Sequence, residues 1–252
     1  MKKFRYLSLF IVTASLLLIS CKGKKTDTTS VVDSTGKVVE EPLYAVCIWD
    51  KLSLKDAPTD KAKWQASINL GEKCTYLEDI KEDKTGKKPV TYIKIQLQNK
   101  QEGWVQSDYV ILKSRPATFI KDADLYSRPD LLTKAGKSFS SMDIVAVKTQ
   151  QGDFIEVVGK RKNGKWIESG WVKPSNVSYN DIDIAVAKYA SKAMTIADKD
   201  KRNAAINEIV TNADFKNSVF IDILTNIASD EFVPDDSNKD LPSSKEPEVE
   251  GD

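Results

Sequence analysis

The sequence predicts a mainly β protein with a C-terminal α-helical segment: two small β modules of one kind in tandem, then two or three short helices. Three observations predict it. From residue 43 to about residue 179, apolar residues come in short runs broken by turn formers, as in small all-β folds. Those runs recur at a nearly constant offset along the chain. Beyond Asn180 the apolar spacing changes from alternation to steps of three and four.

The elements follow in chain order. Met1-Lys2-Lys3-Phe4-Arg5 is a basic head, and Leu7 to Ile19 is a 13-residue apolar run, short of the roughly 20 residues a membrane span needs. A basic head, an apolar middle and a small residue before the cut make a secretory signal over residues 1–20. Leu18-Ile19-Ser20-Cys21 resembles the lipobox of bacterial lipoproteins, with Ile19 in place of the usual small residue. The resemblance implies cleavage after Ser20 and a diacylglycerol on the Cys21 sulfur, hence a lipid anchor on a bacterial membrane, the outer membrane being the expected one. Residues 21–42 are rich in Thr, Ser, Asp, Lys and Gly and read as a flexible tether.

The first module covers residues 43–113. Its strand-like runs are Tyr44–Trp49, Lys73–Leu77, the alternating Val90–Leu97, Gly103-Trp104-Val105 and Tyr109-Val110-Ile111. Asp79 to Pro89 reads as a long loop. The second module covers residues 114–179. A shift of 71 sets Leu54 on Leu125, Pro58 on Pro129, Ile68 on Phe139 and Cys74 on Val145. A shift of 62 sets Tyr92–Ile95 on Phe154–Val157, and one of 67 sets Gly103-Trp104-Val105 on Gly170-Trp171-Val172. Apolar slots meet apolar slots while loops vary in length, the way two copies of one fold diverge. Asn163-Gly164 reads as a two-residue hairpin turn. Trp104 and Trp171 are expected to fill the two cores.

The order Leu52-Ser53-Leu54-Lys55-Asp56-Ala57-Pro58, apolar strands, Gly103-Trp104-Val105, then Tyr109-Val110 resembles bacterial SH3-like domains. So does the second copy, from Ala123-Asp124-Leu125 to Gly170-Trp171-Val172 and Asn176-Val177. Lys55-Asp56 departs from the pair common in that family. The resemblance implies two SH3-like small β-barrels that bind peptide or glycan, with cell-wall peptidoglycan as one ligand class.

Residues 180–229 carry three helical stripes. Ile182, Ala185, Val186 and Tyr189 begin the first; Ala205, Ile206 and Ile209 mark the second; Val219, Phe220, Ile223 and Leu224 mark the third. They are expected to pack on the second module. Residues 230–252 hold nine acids against two lysines and almost no apolar residues, so they read as a disordered acidic tail.

Composition narrows the function. The sequence has no histidine, which removes the usual general base and the commonest metal ligand. Gly159, Gly164 and Gly170 fit no phosphate loop. The pairs Asp181/Asp183 and Asp235/Asp236 lack companion ligands and read as helix-cap and tail charges. The chain is therefore expected to be no enzyme and to need no cofactor or metal. With Cys21 acylated, Cys47 and Cys74 remain, either as one disulfide or as two buried thiols; the residues leave both readings open. The mild positive excess of the body reads as a solvated surface, and no nucleic-acid partner is expected. Aromatic residues off the core pattern are the binding candidates: Trp49, Trp64, Tyr126 and Trp166. The expected function is that of a monomeric, non-enzymatic lipoprotein binding wall peptide or glycan. A surface adhesin or scaffold for a protein partner is the alternative.

Overall fold

The computed structural model describes residues 30–32, 38–40, 43–162 and 164–229. The stretch 1–20 read as a signal, Cys21, Asn163 and the acidic segment 230–252 lie outside them. The described residues fall into two units, divided between Glu41 and Pro42. In the first, β1 (Ser30–Val32) pairs antiparallel with β2 (Val38–Glu40), setting Val31 opposite Val39. Both strands fall within the stretch read as a tether, and β-branched residues such as these valines favour strand pairing.

The second unit opens with seven strands: β3 (Tyr44–Cys47), β4 (Leu52–Lys55), β5 (Trp64–Ile68), β6 (Lys73–Asp83), β7 (Val90–Gln96), β8 (Glu102–Gln106) and β9 (Val110–Leu112). They form one antiparallel sheet in the spatial order β5-β4-β8-β7-β6-β3-β9. Seven more follow: β10 (Arg115–Phe119), β11 (Ala123–Tyr126), β12 (Lys134–Phe139), β13 (Ile144–Gln151), β14 (Phe154–Lys160), β15 (Ile167–Val172) and β16 (Val177–Ser178). Their order is β12-β11-β15-β14-β13-β10-β16, the first sheet's order with seven added to every index.

The two sheets also agree in detail. Ala45 stands opposite Cys74 in one, and Ala117 opposite Val145 in the other. Ahead of β6, Glu72 N–H donates to the Asn69 carbonyl and Glu72 Oε2 accepts from Asn69 N–H. Ahead of β13, Asp143 and Ser140 repeat both bonds. Gly103 of β8 lies so close under β4 that a methyl there would sit 2.7 Å from Leu54 Cγ and 2.8 Å from the Lys55 carbonyl oxygen. At Gly170 of β15 the distances are 2.6 Å to Leu125 Cδ1 and 2.9 Å to the Tyr126 carbonyl oxygen. Backbone approach at one strand crossing thus demands glycine in both copies.

Each sheet has its own core. Leu54, Ile93, Ile95 and Val105 centre the first; Leu125, Phe139, Val157 and Val172 centre the second, where Phe119 stacks on Phe139 at 4.9 Å. The residues facing inward are Val105 and Val172, not the tryptophans before them. Successive strand residues point to opposite faces, so Trp104 and Trp171 stand on the other side. Trp104 is buried there and Trp171 half-buried.

A third cluster joins the sheets. Val46 and Ile48 meet Ala146 and Val158, while Ala45 and Cys47 turn into the first core. β3 is therefore buried on both faces, which is why its sequence is a continuous apolar run rather than an alternating one.

Two hairpins differ from expectation. The stretch Asp79 to Pro89 is not all loop: β6 runs to Asp83, pairing Ile80 with Ile93 and Asp83 with Val90 beyond a bulge at Glu78 (φ +59°). Insertion lengthened the ladder, whose backbone bonds hold even where the side chains are charged. Around residue 163 the strands stop at Lys160 and resume at Ile167, and Gly164 N–H donates to the Arg161 carbonyl at 2.9 Å. The connection is thus longer than a two-residue turn.

Cys47 and Cys74 are free, buried thiols. The register puts Cys74 opposite Ala45, so the cysteines are diagonal neighbours on one face. Such pairs lie about 7–8 Å apart between Cα atoms, beyond ordinary disulfide reach. Each thiol instead meets a carbonyl, Cys47 that of Trp49 at 3.1 Å and Cys74 that of Ala45 at 3.6 Å.

Three helices close the fold: α1 (Asp181–Ala193), α2 (Lys199–Thr211) and α3 (Ile221–Ala228). Asn180 Oδ1 caps α1 by accepting from Ile182 N–H at 2.9 Å. Their apolar faces share a cluster with Ile144 of β13, with Leu70, Ile120 and Met142 at its edge. Asp183, expected as a cap charge, is instead buried, 2 % exposed. Its carboxylate accepts from Ser178 Oγ (2.5 Å), Ser218 Oγ (2.8 Å) and Val219 N–H (3.0 Å). One side chain so ties β16, α1 and the approach to α3 together. No helix among the described residues is long and apolar enough to cross a membrane.

Candidate functional site

Where the two sheets and the helices converge they leave a cleft of about 600 Å³, within the ~300–1,000 Å³ usual for ligand sites. The first sheet contributes Trp49 and Asp50, which follow β3, and Leu70 from the turn before β6. The second contributes Ser141, Met142 and Asp143 from the equivalent turn, with Lys160 to Lys162 at the end of β14. The C-terminal turns of α1 supply Ala190 and Met194, and α3 supplies Ile223 and Ile227. The repeat accounts for this placement: two copies of one turn, Asn69–Glu72 and Ser140–Asp143, both face the cleft.

The two turns differ at one informative position. Gly71 has φ +77°, and the residue 71 further on, Met142, holds φ +68°. A side chain in that left-handed conformation costs about 1–2 kcal/mol. The first copy avoids the cost with glycine, and must, since a methyl there would lie 2.9 Å from Ile144 Cγ2. The second copy accepts it and lines the cleft with a methionine.

The electrostatics are lopsided. Asp143 is 8 % exposed; burial raises its carboxyl above the ordinary value, while the N–H groups of Ser140 and Lys162 oppose the rise. Those two donors, at 2.8 and 3.0 Å, engage both of its oxygens. Arg161 binds Glu168 Oε1 at 2.7 Å. Burial disfavours the Glu168 anion, but Arg161 and Lys137 together outweigh it and hold its carboxyl below the ordinary value. Lys188 of α1 is lowered, by burial first and then by Lys192, while Glu72 and Asp50 pull it back. Lys160 and Lys162 are exposed, and neither forms an ion pair among the described residues. Lys160 Nζ stands over the Trp49 ring, 4.8 Å from its centre, and Tyr109 backs that ring at 4.9 Å. The cleft is thus apolar at its base with two exposed ammonium groups at its lip, of which Lys162 also acts on the Asp143 carboxylate. The described residues include no group of three or more carboxylates and thiols placed to hold a metal.

Of the aromatic candidates, only Trp49 lines this cleft. Trp64, 64 % exposed on β5, donates its indole N–H to Ser67 Oγ at 3.3 Å. Trp166, 76 % exposed, stands in the β14–β15 connection. Tyr126 is half-buried on β11, edge-on to Phe154 at 5.4 Å, with Lys173 on the other ring at 3.9 Å. These four do not form one surface. The lysines and Met142 were missed because nothing in their local spacing is unusual. The signal that finds Met142 is the internal alignment, which sets it on a glycine.

No family model matches the chain, and no curated protein matches it. Among solved structures, NlpC2 and NlpC1 from Trichomonas vaginalis align at 10 % and 12 % identity over 67 % and 66 % of this chain, each with a TM-score of 0.23. A putative autolysin from Listeria monocytogenes aligns at 12 % over 55 % of this chain and 62 % of its own, also at 0.23. The chain spans 56 % of the length of each Trichomonas protein. Likeness at this level defines neither fold nor function.

Proposed function

We propose that the chain is a membrane-anchored, non-enzymatic binding module for cell-wall peptide or glycan, its two sheets acting as SH3-like barrels and Cys21 carrying the lipid. The observation that carries this reading is the cleft between two copies of one module, with Trp49 exposed to it beneath Lys160. The Gly-Trp-Val resemblance supplies the ligand class. Binding is preferred to catalysis because both oxygens of Asp143 are occupied by backbone donors and the sequence holds no histidine.

The test is co-sedimentation of the full chain with purified peptidoglycan. Saturable retention is expected, weakened about tenfold by Trp49→Ala, the loss typical of an anchoring aromatic. No retention of the unmodified chain would refute the reading. The exposed Trp166, together with Leu132 at 92 % exposure, favours a second reading, an adhesin or scaffold that docks a protein partner. Capture of a defined protein, lost in Trp166→Ala and not in Trp49→Ala, would establish that one instead.

A further inference from the structure

We infer that the occupant of the cleft is an anionic amphiphile: a carboxylate received by Lys160 and Lys162, joined to short apolar groups that lie against Trp49, Met142 and Ile223. The inference deepens the wall-binding reading and rests on it for the source of the ligand.

Three independent observations point the same way. Arg161 is paired with Glu168, Asp143 is held by two backbone donors and by the charge of Lys162, and Asp50 acts on Lys188. Lys160 and Lys162 stand exposed on the rim and form no ion pair among the described residues, although the Lys162 charge also acts on Asp143, whose oxygens are held by backbone donors. Cations so placed attract an anion and lose little water that the anion does not replace. Next, Ser141 Oγ on the cleft wall is enclosed yet has no hydrogen-bond partner. Native proteins seldom leave such a group unpaired, and a carboxylate or amide on a ligand would satisfy it. Finally, Met142 occupies a conformation suited to glycine and turns an adaptable thioether toward the cleft. A neutral glycan would use the tryptophan but would offer neither ammonium group an anion. Wall stem peptides combine carboxylates with small aliphatic side chains and fit the whole set.

Titration calorimetry on the full chain tests this with three probes: a soluble disaccharide–tetrapeptide fragment of peptidoglycan, the same fragment with its carboxylates amidated, and decanoate. The free-acid fragment is expected to bind. Amidation, or the change Lys160→Gln with Lys162→Gln, is expected to weaken it about tenfold at low salt, with the loss shrinking as salt rises. Amidation should cost little more once both lysines are gone. Equal binding of acid and amide to the unmodified chain would overturn the inference. So would a double variant that binds the acid normally. If whole peptidoglycan sediments with the chain but the lysine changes have no effect, the wall reading stands and this inference falls. If neither wall nor fragment binds while decanoate does, and decanoate is lost in the double variant, the cleft chemistry stands and the wall reading falls.

Discussion

Asp183 gives the sharpest energetic test of the fold. Replacing it by alanine removes one carboxylate and leaves three donors: the hydroxyls of Ser178 and Ser218 and the amide of Val219. A buried amide without an acceptor costs about 1–3 kcal/mol, and each hydrogen bond to a charged group is worth about 1.5–3 kcal/mol net. The hydroxyls can turn, and Ser178 Oγ already accepts from Asn180 N–H at 3.2 Å, so their loss is partial. Alanine also avoids burying a charge, which returns several kcal/mol. The balance is a destabilisation of about 2–4 kcal/mol, a large share of the roughly 5–15 kcal/mol that holds a typical protein folded. Asp183→Asn should cost less, about 1 kcal/mol, because one amide oxygen can serve Ser218 and Val219 while the NH₂ donates to Ser178 Oγ. Urea unfolding followed by circular dichroism at the helix band measures both. A loss under about 1 kcal/mol for alanine, or equal losses for alanine and asparagine, would refute the clamp.

Three further predictions concern the cores. Gly103→Ala and Gly170→Ala each force a methyl to within 2.7 Å of a leucine carbon, beside a backbone oxygen that cannot yield. Each should cost about 1–3 kcal/mol by overpacking, whereas Gly86→Ala, whose nearest neighbour would be 3.6 Å away, should be close to neutral in the same urea titration. The Cys47 and Cys74 thiols are pushed up to about 12 by burial, so both stay protonated in the fold at pH 8. Iodoacetamide should leave them unlabelled until urea unfolds the chain, as read by mass spectrometry of the two peptides; labelling of the native protein at the rate of a free thiol would refute this. An acid whose folded value is raised favours the fold below its unfolded value, so stability should fall as pH climbs from about 9 toward 12.

Much of this protein was legible in one dimension. Alternation and turn residues located the strands, the three- and four-residue steps located the helices, and the offset between copies paired Leu54 with Leu125 and Gly103 with Gly170. Such features are local or periodic, and a pattern of apolar residues states which side chains seek burial. It does not state what covers them. Only the folded chain could decide that Val46 and Ile48 face the second sheet, that Val105 rather than Trp104 enters the core, and that Asp183 is a buried clamp instead of a cap. The cleft belongs to the same class. Trp49, Met142 and Lys160 lie far apart in sequence, and packing between two sheets and three helices is what sets them around one space.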